Sequence, residues 1–115
     1  MSVVAPTPQW LLCEDRVLAG VEVASNRAER RRGLLGRDSI DGALLLPHTG
    51  SVHTIGMRFP IDVAHLAADG TVLRTRRMTP NRVGAFVPRS RSVLECAAGA
   101  LERWGVGVGD VLELR

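Results

Sequence analysis

A chain of 115 residues is long enough to bury one hydrophobic core and too short to form two domains. With 45% hydrophobic and 23% charged residues, its composition is typical of a globular protein, and no apolar run approaches the length that crosses a bilayer. All fifteen basic residues are arginines, but a net charge of +3 is too small to indicate nucleic-acid binding by itself.

The N-terminal residues indicate a domain boundary and a compartment. Residues 1–9 contain Pro6 and Pro8 and are predicted to form a flexible tail, which leaves residues 10–115 as a single globular domain. No basic segment precedes the short apolar run at Trp10, so the start does not resemble a secretory signal. We therefore expect a cytoplasmic protein that does not associate with a membrane.

Short apolar or alternating runs predict seven strands, and two further segments predict short helices. The first helix is predicted over residues 27–36, because Asn26 is a favourable N-cap and Glu29 completes a capping box. The second helix, residues 100–104, ends before Gly105. The predicted strands are residues 10–13, 17–24, 43–46, 61–67, 71–78, 92–97 and 111–114.

The fold class follows from the central stretch of the chain. Residues 61–67 are largely apolar on both alternating faces, which is typical of a strand that is covered on both sides. The following pair Asp69-Gly70 tolerates positive φ and predicts a hairpin to the next strand. Because strands outnumber helices and short turns join them, we expect an α+β protein: a β-rich single domain with a mostly antiparallel, barrel-like sheet and two short helices.

Asp62 is a carboxylate within this central strand, flanked by Ile61 and Val63. Burying it is costly unless partners satisfy it, and these are either backbone N–H groups near residues 56–59 or one of the arginines. The alternative is a general acid or base with a perturbed pKa. We favour the structural role, because ion-pair networks perturb carboxylates as readily as active sites do.

The strongest charge asymmetry lies between Asp69 and Glu95, where six arginines occur without an acidic residue. Residues 79–91 form a long loop there, and loops of this length commonly carry function. The leading hypothesis is a non-enzymatic binding module whose arginine-lined groove takes a small anion or an acidic protein segment. Glu95 is expected to pair with one arginine, while His53 and Asp62 lie at or beneath the groove. The candidate ligand-binding residues are His53, Arg58, Asp62, Arg74, Arg76, Arg82, Arg89, Arg91 and Glu95.

Two alternatives to this groove remain open. In the first, the arginine side chains point apart into water and bind nothing. In the second, the protein is a small hydrolase or transferase that uses His53 or His65 as general base, Asp62 to orient it and Cys96 as nucleophile. Cys13 and Cys96 also allow one disulfide, although both lie in apolar runs where a free cysteine packs as a small hydrophobe.

Metal ions and nucleic acids are not indicated as ligands. His48 and His53 lie five residues apart, but no third ligand stands at a recognised spacing, so we predict neither a metal nor another cofactor. Two Trp, two Phe and no Tyr provide few platforms for base stacking, which disfavours single-stranded nucleic acid as a partner.

The order and spacing of several short segments carry a family resemblance over residues 24–114. The segments are Glu29-Arg30 followed by Gly33-Leu34 and Arg37, Gly42 with the apolar run after it, Phe59-Pro60-Ile61-Asp62 followed by Asp69-Gly70, Val93-Leu94-Glu95 with Gly99, and Gly109-Asp110. With these segments the chain resembles the bacterial and archaeal family catalogued as domain of unknown function 192. The resemblance implies a small, β-rich α+β domain with a barrel-like sheet, in a family whose activity is not established.

Overall fold

The computed structural model describes residues 9–115, which form seven strands and two short helices. In chain order these are β1 (Gln9–Cys13), β2 (Arg16–Val23), α1 (Arg27–Arg32), β3 (Ala43–Pro47), β4 (Ile61–Leu66), β5 (Val72–Met78), β6 (Ser92–Ala97), α2 (Ala100–Trp104) and β7 (Leu112–Leu114). Each predicted strand and helix is present, whereas the predicted tail falls mostly outside the described residues. Between residues 9 and 115, no helix is long and apolar enough to cross a membrane.

All seven strands form one sheet, in the order β5-β4-β6-β3-β2-β1-β7. Neighbouring strands are antiparallel except β2 and β3, which are parallel. The outermost strands, β5 and β7, meet at one corner. There the Val72 N–H donates to the Asp110 carbonyl (2.8 Å), and the Leu112 N–H donates to the Gly70 carbonyl (2.9 Å). The result is a curled, mixed half-barrel, which confirms the predicted β-rich α+β class.

Two layers of apolar side chains cover the two faces of the sheet. One layer includes Leu101 of α2, and we call this side the α2 face. The other includes Leu34, which follows α1, and we call this side the α1 face. All six residues of β4 are buried, and alternation directs Leu66 into the first layer and Val63 into the second. The predicted double coverage of the central strand is therefore confirmed.

Helix α1 begins as predicted and ends earlier. The Asn26 side chain caps it by accepting a hydrogen bond from the Glu29 N–H (2.9 Å). It ends at Arg32 because Gly33 adopts a φ of +51°, and the Gly33 N–H closes the last turn on the Glu29 carbonyl (2.9 Å). The predicted end at Gly36 is therefore wrong by about one turn.

A bulge in β5 decides which of its side chains face each core. The register pairs Arg74 with His65 and Val72 with Leu66, so Leu73 is the extra residue. Arg74 therefore lies on the α1 face, whereas Val72 packs on the α2 face. Beyond Val72, the outer edge of β5 pairs with no other described strand.

One substitution at the corner that closes the half-barrel should strongly reduce the stability of the protein. Gly70 has a φ of +91°, and a methyl group on it would overlap the Leu112 carbonyl, so Gly70→Ala should reduce the free energy of unfolding by about 3 kcal/mol or more. Gly107→Ala is the matched control, because a Cβ at Gly107 meets no atom within 4 Å, and it should change stability by less than about 1 kcal/mol. Chemical denaturation measures both, and equal losses would contradict the assigned closure.

Candidate functional site

A cleft on the α1 face lies between the end of α1 and residues 51–57 and encloses about 130 Å³. We call it the Glu95 cleft. Its mouth is cationic, its walls are apolar and a carboxyl group lies at its buried end. The cationic residues are Arg30, Arg31 and Arg32. The apolar ones include Leu34, Leu46 and Met57, and the carboxyl group is that of Glu95.

Glu95 is a buried carboxyl without a partner. It lies in β6 at the centre of the sheet, opposite Leu44 on one side and Val63 on the other, and only 2% of its surface is exposed. Its Oε1 atom accepts no hydrogen bond from any described residue. Burial raises the pKa of Glu95 to about 7, because removal from water disfavours the charged form. A polar atom in this state calls for an explanation, and one explanation is an absent ligand.

The expected ion pair between Glu95 and an arginine is wrong. No salt bridge to Glu95 forms among residues 9–115. The arginines expected as partners lie elsewhere: Arg77 pairs with Asp62, and Arg89 and Arg91 line a depression beside Asp69. Gly33, which follows α1, lies against one side of the carboxyl, since a Cβ there would stand 2.9 Å from Glu95 Oε1.

The cationic mouth of the cleft has no acidic partner of its own. Arg30 is half-buried, Arg31 and Arg32 are exposed, and none of the three forms a salt bridge with a described residue. Arg32 makes one long hydrogen bond, from Nε to the Leu35 carbonyl (3.4 Å). His53 also lines the cleft, where its Nδ1 accepts a hydrogen bond from the Ile55 N–H (3.2 Å).

Asp62 has a structural role on the other face of the sheet. Its Oδ1 accepts a hydrogen bond from Arg77 Nε (3.0 Å), and its Oδ2 accepts one from the Gly99 N–H at the start of α2 (2.9 Å). It therefore ties β4 to β5 and to α2. The pairing with an arginine is one of the two structural alternatives that the sequence offers, and the prediction that Asp62 shares a site with His53 is wrong.

The catalytic constellation of the enzymatic alternative is not assembled. Asp62 and Cys96 are cross-strand partners on the α2 face, whereas His65 alternates to the α1 face and approaches Ser90 Oγ with Nδ1 (3.0 Å). Burial, with a smaller contribution from the Asp62 charge, raises the pKa of the Cys96 thiol to about 12, so it stays protonated. Cys13 is also free and buried. This arrangement contradicts the predicted hydrolase or transferase mechanism.

The arginines of residues 69–95 do not line one common groove. Arg74 and Arg76 contact a small pocket under residues 84–87, and Arg89 and Arg91 line a separate, wider depression beside Asp69. The loop causes this separation, because it is hydrogen-bonded along its length to other segments. Thr54 N–H donates to the Arg82 carbonyl (2.8 Å), whereas Arg91 N–H donates to the Leu66 carbonyl (2.8 Å) at the far end of β4.

Arg58, a candidate ligand-binding residue, and His48, which the sequence offers only as a member of a metal pair, both lie away from the Glu95 cleft. Arg58 forms an exposed ion pair with Asp38, with 3.0 Å between Nη1 and Oδ1. His48 is exposed, in a left-handed turn with a φ of +54°. Within the described part of the chain, no three His, Cys, Asp or Glu side chains cluster in a way that could hold a metal ion.

The cleft residues that sequence reasoning missed belong to α1. A run such as Arg30-Arg31-Arg32 is most often a solvated helix face, and a docking surface for an acidic partner is the less favoured alternative. The signal that points to a site is Gly33 directly after the run, since a glycine that ends a helix early allows close approach of the backbone to another group. That group, Glu95, is 62 residues distant in sequence, and only the fold brings it to Gly33.

The described residues form a small, β-rich half-barrel domain with two short helices. The chain matches the model of the DUF192 family, described as "Uncharacterized ACR", over residues 12–114. The match covers nearly the whole chain, so the protein belongs to this family, as the sequence resemblance indicates. A comparison with curated proteins finds no significant match.

Two solved structures share the fold. A protein of unknown function from Novosphingobium aromaticivorans superposes with a TM-score of 0.78 at 20% identity, covering 92% of this chain and 83% of that chain. A protein from Sinorhizobium meliloti, described as a proposed transcription regulator, superposes with a TM-score of 0.74 at 26% identity, covering 92% of this chain and 91% of that chain. These similarities confirm the half-barrel fold.

The raised pKa of Glu95 predicts how stability depends on pH. Since its folded pKa of about 7 lies above the ordinary value of 4.5, the native state binds the proton more tightly than the unfolded state. The stability that this proton provides is fully present below about pH 4.5 and is lost as the pH rises through about 7. Relative to Glu95→Gln, the native protein should lose up to about 3 kcal/mol between pH 5 and pH 8.

Urea denaturation at several pH values measures this difference. Glu102→Gln is the matched control, because Glu102 is an exposed carboxylate in α2, and its stability profile should run parallel to that of the native protein. If the profiles of Glu95→Gln and of the native protein were also parallel, Glu95 would not be the uncompensated buried carboxyl described above.

Proposed function

We propose that this protein is a non-enzymatic binding module whose Glu95 cleft takes a ligand, or a segment of a partner protein, with an acidic group at the arginine mouth. The observation that carries the proposal is the buried carboxyl of Glu95, which lines the cleft and whose Oε1 has no hydrogen-bond partner among residues 9–115. Partner-less buried polar atoms and carboxyls with raised pKa concentrate at functional sites. Three arginines that form no ion pair with any residue in the range 9–115 stand at the mouth of the same cavity.

The Glu95 cleft is better suited to a ligand than the arginine depressions around β5 are. The pocket beside Arg74 and Arg76 encloses only about 10 Å³. The depression beside Arg89 and Arg91 is more open, and Asp69 already supplies a negative charge there. Hydrogen bonds from Thr71, and to a smaller extent the Arg89 charge, lower the pKa of Asp69, which therefore stays ionised and offsets the arginines.

Nucleic-acid binding is the competing function, because one structural relative is described as a proposed transcription regulator. The two helices of this chain have six and five residues, whereas motifs that read the major groove present a longer exposed helix. The arginines also fall on both faces of the sheet and in two separate depressions rather than in one stripe. Titration with a duplex oligonucleotide tests this competing function.

Calorimetric titration with short acidic peptides and small dicarboxylates tests the proposed site. The double variant Arg31→Gln plus Arg32→Gln should weaken binding about tenfold or more, since each charge-assisted hydrogen bond to a carboxylate is worth about 1.5–3 kcal/mol. The matched control is Arg74→Gln plus Arg76→Gln, which removes the same charge from β5 and should leave the affinity within about twofold. Binding should also weaken between about 0.1 M and about 1 M salt, because exposed arginines are screened.

Three results would contradict the proposal. The first is loss of binding in the β5 variant alone, which would move the site to Arg74 and Arg76. The second is binding that does not respond to salt. The third is tight, salt-sensitive binding of the duplex oligonucleotide with no response to any carboxylate, which would favour the nucleic-acid function.

A further inference from the structure

The order of chemical groups along the Glu95 cleft restricts what can occupy it. The arginines form the mouth, the side chains of Leu34, Leu46 and Met57 are at most 7% exposed, and the carboxyl of Glu95 is 2% exposed. A complementary molecule therefore has an acidic group at one end, an apolar middle and a hydrogen-bond donor at the other end. The donor must reach the carboxyl group of Glu95, whose Oε1 no described residue satisfies.

A primary ammonium group fits the buried end better than a neutral donor or a metal ion does. An ammonium supplies both hydrogen bonds and the opposite charge, so it offsets the cost of an ionised carboxylate in a dry site, whereas a hydroxyl or an amide supplies hydrogen bonds alone. Because the pKa of Glu95 is about 7, little free energy is needed to deprotonate it at neutral pH. A divalent metal would need further ligands, and no suitable cluster of them exists in residues 9–115.

The apolar walls and the volume indicate the length of the connecting chain. A volume of about 130 Å³ corresponds to roughly four or five water-sized groups, at about 30 Å³ for each. An unbranched chain of a few methylene groups that ends in an ammonium fills such a space and contacts the apolar walls with its methylenes. A nucleotide or an aromatic cofactor is larger than the cavity.

The arginine mouth requires that the same ligand carry a carboxylate. An isolated cation would have to pass three guanidinium groups that have no acidic partners in the described chain, which repels it. A carboxylate at the outer end of the ligand converts this repulsion into attraction, because guanidinium groups bind carboxylates through paired hydrogen bonds.

We infer that the Glu95 cleft binds an amphoteric chain, with its ammonium on Glu95, its methylenes against Leu34, Leu46 and Met57, and its carboxylate on the arginines of α1. This inference rests on the proposed binding function and names the ligand class of that site. The same chemistry has two sources, a free ω-amino acid or a lysine side chain flanked by acidic residues on a protein segment.

Matched ligands test each end of the chain separately. Isothermal titration compares 5-aminopentanoate with pentanoate, which lacks the ammonium, and with pentylamine, which lacks the carboxylate. The peptide acetyl-Asp-Lys-Asp-amide and its norleucine analogue form the second arm and represent the protein source. The ligand with both groups should bind the native protein about tenfold or more tightly than either single-group ligand, which is about 1.4 kcal/mol.

One variant and its matched control test whether the ammonium of the ligand binds to Glu95. Glu95→Gln keeps the size of the side chain and removes its charge, so it should abolish the advantage of 5-aminopentanoate over pentanoate. It is expected to fold, because it removes a buried ionisable group. Glu102→Gln makes the same charge change on the exposed surface of α2 and should bind like the native protein.

The outcomes separate the two proposals. If 5-aminopentanoate or the lysine peptide shows the Glu95-dependent advantage, the inference holds, and the arm that responds identifies the source. If carboxylates bind through Arg31 and Arg32 but the ammonium adds nothing, or if its advantage survives in Glu95→Gln, the inference is wrong and the binding function stands. If no carboxylate, amino acid or peptide binds up to about 10 mM, both proposals fail.

Discussion

The structure depends on a sheet whose central strands are buried on both faces. All six residues of β4 and the four central residues of β6 are withdrawn from water, so a polar side chain on these strands is costly unless it has a partner. Asp62 has partners in Arg77 and the start of α2. Glu95, one strand away and on the opposite face, has none for its Oε1 among the described residues. The contrast between these two carboxyls separates a residue that ties strands and helix together from the residue on which the proposed binding function rests.

Closure at a single corner of the half-barrel explains why the two faces of the sheet differ. The hydrogen bonds that join residues 70–72 to residues 109–112 curl the sheet around the α2 core, which is therefore packed by strands from both ends of the order. The α1 face has no equivalent enclosure. Irregular chain from residues 51–59 and from the end of α1 covers it instead, and this looser covering leaves the space that becomes the Glu95 cleft.

The fold was largely predictable from sequence because its signals are local. Alternating apolar runs define the strands, and Asp69-Gly70 and Asn26 mark a hairpin and a helix start through the chemistry of individual residues. The candidate site was less predictable: Glu95 and His53 line the Glu95 cleft, whereas the arginines of residues 69–95 do not share one groove. Two non-local facts decided this outcome: the bulge at Leu73 and the backbone hydrogen bonds that fix residues 82–91 along other segments. Neither leaves a pattern that composition or periodicity can detect.

The open edge of β5 has a consequence for how copies of the protein meet. Unpaired backbone groups along an edge strand are a template for joining a second sheet. Arg74, Arg76 and Arg77 stand on this edge, and in an antiparallel pair of two such strands their guanidinium groups would oppose one another. Repulsion between like charges thus disfavours growth of the half-barrel into a continuous sheet by self-pairing along β5.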